Sequence, residues 1–119
     1  MSYLPTLFFA TVIVSICTAC STEGGIRQPS KFANTLGYGK CRVYGPLSRE
    51  QALIRAAKES IRLPNASLDE LIAQRGALGE IYFFDCTTVD TSKVVVGHTF
   101  FGLVKDGVVI SKAAESIVD

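Results

Sequence analysis

A two-layer α+β domain is what this sequence predicts, ordered β-α-α-β-β-β, with an antiparallel sheet and both helices on one sheet face. Three observations carry the prediction. From Glu80 onward the chain is dense in Val, Ile, Phe, Tyr and Thr, broken by turn residues. Two central segments begin with helix-start residues, Ser48 and Ser67, and continue with apolar residues at helical spacing. The chain behind an apolar leader is about 100 residues long, which is one domain by length.

The elements follow in order. Cys41-Arg42-Val43-Tyr44 reads as a short first strand, ended by Gly45-Pro46. Ser48 opens the first helix, and Gln51 three places later completes a capping box. On a helical wheel Leu53, Ile54, Ala57 and Ile61 share one face, and Arg55, Lys58 and Arg62 share the opposite one. Pro64 disfavours helical geometry before it, which places the helix end near Arg62. Ser67 opens the second helix with Glu70 at the capping-box position, Leu68, Leu71 and Ile72 pointing inward, and Gly76 as its stop. Asn65-Ala66-Ser67 matches a glycosylation acceptor, but Asn and Ser are equally expected at a helix start. Strands are expected over 80–89, 93–104 and 108–111. Asp90-Thr91-Ser92 joins the first two, and Asp106-Gly107 forms a tight hairpin turn that needs positive φ. The expected arrangement of these three is an antiparallel meander. The Ala113–Val118 segment reads as a short terminal helix.

The first twenty-two residues carry no charged side chain, and the run Leu7–Ile16 is strongly apolar. A membrane span needs about 20 apolar residues. A secretory leader needs about 7–15 followed by small residues. Export followed by cleavage is the expectation. Thr18-Ala19-Cys20 then resembles the cleavage motif of a bacterial lipoprotein. Cys17 stands where that family usually has Leu, and no Lys or Arg precedes the apolar run. The resemblance covers only these twenty residues. It implies a diacylglyceryl group on Cys20, removal of residues 1–19, and anchorage in the membrane through that N-terminal lipid. Ser21 after the cysteine implies the outer membrane, facing the periplasm. The alternative is ordinary cleavage after Ala19, which gives a soluble secreted protein. Residues 20–37 have the Gly, Ser, Pro and Asn content of a flexible tether spanning on the order of 20 Å. Ile26, Phe32 and Leu36 could instead dock on the domain. Residues 38–119 form the single domain.

Cys41 and Cys86 are the two cysteines in the folded part. Export means an oxidising compartment, so they are expected to pair, a bond that stabilises a small domain by roughly 4 kcal/mol. The other reading is two reduced, buried thiols. Two isolated cysteines and one histidine have no paired spacing, so no metal site and no cofactor is expected.

Net charge is +1, but residues 27–62 carry eight Lys/Arg against two acids, and residues 69–119 four against eight. No like-charge run exceeds two, which argues against nucleic acid as a partner. The stripe Arg55, Lys58, Arg62 is a candidate contact for an anionic surface. Its plainer reading is a solvated face paired locally with Glu59.

Candidate chemistry is sparse. His98 is the only histidine, and Cys86 or Cys41 with His98 and Asp85 would make a thiol hydrolase only if a thiolate were free. Asp85 and Asp90 flank a strand end, where turn roles are commoner than catalysis. Gly37-Tyr38-Gly39 lacks the third glycine and the helix of a phosphate loop. Over 93–104, Val94, Val96, Phe100 and Val104 alternate with Val95, Phe101 and Leu103, so both faces of that strand are apolar. Either Gly97 or Gly102 marks a bulge, or the second face is covered by the chain itself, by a partner or by a second copy. The functional expectation is a non-enzymatic binding or structural module at the cell envelope, with an unidentified envelope protein as its partner.

Overall fold

The computed structural model describes residues 23–89 and 95–118, so the leader, Cys20 and the Asp90–Ser92 turn lie outside the described residues. The domain is α+β. Its elements are α1 (Ser30–Thr35), β1 (Arg42–Leu47), α2 (Arg49–Lys58), α3 (Ala66–Gln74), β2 (Glu80–Asp85), β3 (Thr88–Val89), β4 (Val95–Lys105) and β5 (Val108–Val118).

The sheet is antiparallel throughout. β1 pairs with β2, β2 with β4, and β4 with β5. β3 continues β2 against the same neighbour: Asp85 faces Thr99 and Thr88 faces Val96, one unbroken register. The expected 80–89 strand is thus present, interrupted at Cys86-Thr87. The interruption sits opposite Gly97, which has a φ of +133° and lies so close to the Cys86 carbonyl and Thr87 Cα that no Cβ fits. At the hairpin between β4 and β5, Asp106 and Gly107 have φ of 51° and 76°, the two positive values a primed turn requires.

Strand alternation builds two cores. Leu47, Ile81, Phe83, Phe101, Leu103 and Ala113 face α2 and α3. Val43, Phe84, Phe100 and Val104 face the other way. One cross-strand aromatic pair anchors each side. Phe83 meets Phe101 edge-on at 5.0 Å, and Phe84 stacks on Phe100 at 4.7 Å. Each pair adds about 0.5–1.5 kcal/mol beyond the area its rings remove from water. Gly102 makes the second pair possible, since a Cβ there would stand 2.8 Å from the Phe84 ring.

The second face is covered by the chain itself, and over residues 23–37 this corrects the tether expected for 20–37, whose first three residues lie outside the described ones. Residues 23–37 pack against the domain. α1 buries Ala33 on Phe84 and Phe100, with Phe32, Leu36 and Tyr38 around it. Phe32 lies 5.1 Å from Tyr82, and Tyr38 lies 5.1 Å from Phe84 and 5.4 Å from Phe100. Ile26 remains 60% exposed. Gln28 N–H donates to Val43 O, and Gly45 N–H donates to Ile26 O, so residues 26–28 also line the outer edge of β1. The physical reason is the apolar second face, which supplies a partner for side chains too few to form a core alone. The two-layer expectation therefore gains a third, small layer.

Four element boundaries differ from expectation. β1 runs on to Leu47, with a register shift between Tyr44 and Leu47 absorbing Gly45-Pro46. α2 has the expected Ser48–Gln51 capping box but stops at Lys58. Ser60 takes a φ of 59°, and Ser60 N and Ile61 N close on Ala57 O and Ala56 O, a Schellman end well before Pro64. α3 is capped by Asn65, whose Oδ1 accepts from Leu68 N at 3.1 Å and from Ser67 Oγ at 2.8 Å. Residues 113–118 are strand rather than helix, because pairing with β4 outweighs the helix propensity of Ala-Ala-Glu. On the β4/β5 ladder the extra residues belong to β5, at Ile110 and at Ala114-Glu115, so β4 keeps its alternation.

Candidate functional site

Cys41 and Cys86 form a disulfide. They occupy the next register position beyond Arg42↔Asp85, so the bond extends the β1/β2 ladder by one covalent rung. This removes the thiol on which a hydrolase would depend. Asp85 is also committed. It pairs with Arg42 at 2.8 Å and accepts from Thr87 N at 3.1 Å and Thr87 Oγ1 at 2.6 Å, the side-chain bonds of a turn. His98 lies flat on Phe100, with ring centroids 5.5 Å apart. The Cys–His–Asp grouping is therefore not assembled, and Asp90 lies outside the described residues. Gly37-Tyr38-Gly39 is a helix end. Gly37 takes a φ of +84°, and Gly37 N and Tyr38 N satisfy Asn34 O and Ala33 O. Among the described residues no group of His, Cys, Asp and Glu could hold a metal ion, and no helix is long and apolar enough to cross a membrane.

The basic stripe on α2 is divided. The buried face of the helix is Ala52 and Ala56, small residues that let it sit close on the sheet, and Ile54 is left 38% exposed. That rotation turns Arg55 toward the body of the domain. Its guanidinium lies 4.0 Å over the Tyr44 ring and 5.7 Å from the Phe83 centroid, and its Nε donates to Gly24 O at 2.9 Å. Arg55 is a latch on the incoming chain. Lys58 and Arg62 remain exposed.

Three surfaces offer themselves to other molecules. An open cleft of about 440 Å³ lies between the start of α2 and α3, lined by Arg49, Asp69, Ile72, Ala73 and Arg75. Arg75 is partly engaged there, donating Nε–H to Leu47 O at 2.8 Å, with Glu80 3.8 Å away. A second hollow, about 240 Å³, borders the end of α2 and the bulged part of β5. The third surface is the outer edge of β5, eleven residues long, with Val108, Ile110 and Ile117 exposed along it. No strand covers that edge among the described residues.

Among the described residues Tyr82 stands in a setting that disfavours its ionised form. Its phenol is pushed above the usual 10.0 by burial, with the Glu80 carboxylate adding to the effect. The phenol is an apolar wall for Phe32 that stays uncharged well into alkaline conditions.

Comparison with family models, with curated proteins and with solved structures finds no match to this chain.

Proposed function

We propose that this chain is a small exported lipoprotein, held at the membrane through Cys20, whose domain works by binding and not by catalysis. The observation that carries the reading is the pairing of an uncharged leader ending in Thr18-Ala19-Cys20 with a domain closed by a disulfide. A bond between Cys41 and Cys86 suits a protein that folds outside the reducing cytosol. Two or three acyl chains hold a protein stably, whereas one chain gives marginal binding. The proposed site is the outer membrane, on its periplasmic side, with an envelope protein as partner.

The docked N-terminal segment sharpens this picture. Gly24 is latched by Arg55, so only four peptide steps separate it from Cys20. At full extension they reach about 14 Å. The domain would therefore ride close to the bilayer, and Lys58, on the same helix as the latch, would stand near lipid headgroups.

A second reading is favoured by Cys17 and Ala19, both small, which suit ordinary cleavage and release of a soluble protein. Metabolic labelling with palmitate separates the two. The full chain is expected to incorporate label and to fractionate with membranes, and Cys20→Ala to lose both. Equal label in the two chains, or wild-type protein found wholly in the soluble exported fraction, would overturn the lipid anchor.

A further inference from the structure

We infer that the free edge of β5 is the surface on which a second copy of this chain docks, strand against strand in antiparallel register. The inference is independent of the lipid anchor. It starts from an asymmetry between the two sheet edges. β1 has residues 26–28 hydrogen-bonded along its outside, while β5 has no strand on its outer side among the described residues; the bulged Ala114, which donates its N–H to Ser67 Oγ at 3.2 Å, is not a rung of that edge. An exposed edge that is long and apolar is a template for a further strand. Here Ile110 is 48% exposed and Ile117 82% exposed.

The sequence of the edge says which strand it fits. Residues 109–118 read Val-Ile-Ser-Lys-Ala-Ala-Glu-Ser-Ile-Val. Read backwards, the run is unchanged except that Lys112 and Glu115 exchange places. An antiparallel pairing of two copies about a two-fold axis sets each residue opposite its mirror position. Ile110 then meets Ile117 of the second copy, Ser111 meets Ser116, and Lys112 meets Glu115. Each pair occurs twice. Opposite charges directly across an antiparallel pair attract, and like charges repel.

The bulge at Ala114 makes the centre of this pairing geometrically consistent. Directly opposed residues must point to the same sheet face. In a regular strand Lys112 and Glu115 would point to opposite faces. The register with β4 shifts between Ala113 and Ser116, where Ala114 takes a φ of 53°. With Ala114 set aside as the bulged residue, Lys112, Glu115 and Ile117 fall on one face and Ser111, Ala113 and Ser116 on the other. The two-fold axis then passes at Ala113, and the two inner mirror pairs, Lys112 with Glu115 and Ser111 with Ser116, each share a face; the second bulge, at Ile110, shifts the register outside them. Lys112 already holds its ammonium on that side, 4.7 Å from the Phe100 ring centroid and 5.6 Å from that of Tyr38. Among the described residues neither Lys112 nor Glu115 has an ion-pair partner within its own chain.

Charge exchange tests the inference. Two full-length copies with different tags are co-expressed through the export route, and one is captured from the detergent-treated whole culture, cells and medium together. Wild-type copies should co-purify. Lys112→Glu paired with itself sets like charges opposite each other on both sides of the two-fold axis, and so does Glu115→Lys paired with itself. Recovery of the second copy should fall about tenfold in each case. Lys112→Glu co-expressed with Glu115→Lys brings opposite charges together again and should return recovery to about the wild-type level. Non-reducing electrophoresis checks that each variant keeps the Cys41–Cys86 bond. Wild-type copies that do not co-purify would overturn the inference and leave the edge to a different chain. So would equal recovery in all four combinations.

Discussion

Replacing Arg55 by Met keeps most of the side-chain length and removes the guanidinium, which isolates the latch. Two interactions vanish. One is the charged hydrogen bond from Nε to Gly24 O, 2.9 Å long. Bonds of this kind contribute about 1.5–3 kcal/mol, toward the low end where water has access. The other is the contact over the Tyr44 ring at 4.0 Å, worth about 0.5–1 kcal/mol at a partly exposed site. Together they put the cost of the change near 2 kcal/mol. The loss should be local. The amides to follow are those of Gln28 and Gly45, which donate to Val43 O and Ile26 O across the docked segment. Their native-state hydrogen exchange should accelerate about thirtyfold, the rate equivalent of 2 kcal/mol. Amides in the centre of the β2/β4 ladder should exchange at unchanged rates. Unaltered protection at Gln28 and Gly45 would refute the latch. Equal acceleration across β2 and β4 would show that the segment opens only with the whole domain.

Two further outcomes are expected of the disulfide and of Tyr82. Replacing Cys41 and Cys86 together by Ser frees a loop with a sequence separation of 45 and should lower unfolding stability by roughly 4 kcal/mol in a urea titration; a loss under about 1 kcal/mol would contradict the chain-entropy account. Tyr82 holds its proton more tightly in the folded state than the ordinary value of 10.0, so its contribution is complete below pH 10.0 and is lost as pH climbs through the raised folded value. Tyr82→Phe should therefore flatten part of the alkaline fall in stability above pH 10.0 seen by circular dichroism, and an identical fall in both proteins would contradict this.

What was legible in the sequence was local chemistry. The Ser48–Gln51 box, the Asp106-Gly107 turn and the β-rich final third each follow from a few neighbouring residues, and each is in the structure. The disulfide was legible because the leader implied an oxidising compartment and two cysteines remained in the folded part. What escaped depends on distant partners. α1 has Pro29 before it, no side-chain cap and only six residues, so nothing local announces it; the aromatic rings that β2 and β4 present on the second face select it. The wheel of α2 favoured Leu53 and Ile54, yet Ala52 and Ala56 face the sheet, because close approach rewards small residues over greasy ones. Arg55 counted as a solvent charge until Tyr44 and Gly24 supplied a ring and a carbonyl for it. In 109–118 the helix-forming Ala-Ala-Glu masked the mirrored order of the run. Asn65 and Ser67 were both credible caps, and the choice between them was settled by contact with β5, where Ser67 Oγ also receives Ala114 N–H at 3.2 Å.

The covering of the second face by α1 also sets an order of events for a newly made chain. Phe32 and Tyr38 emerge early from any ribosome or translocation pore, yet their resting places beside Tyr82 and Phe100 are delivered some fifty to sixty residues later. Until then a greasy stretch near the amino end has nowhere to go. The earliest part of the domain to appear must wait for most of the chain before it is secured, and a nascent copy spends that interval dependent on whatever shields it.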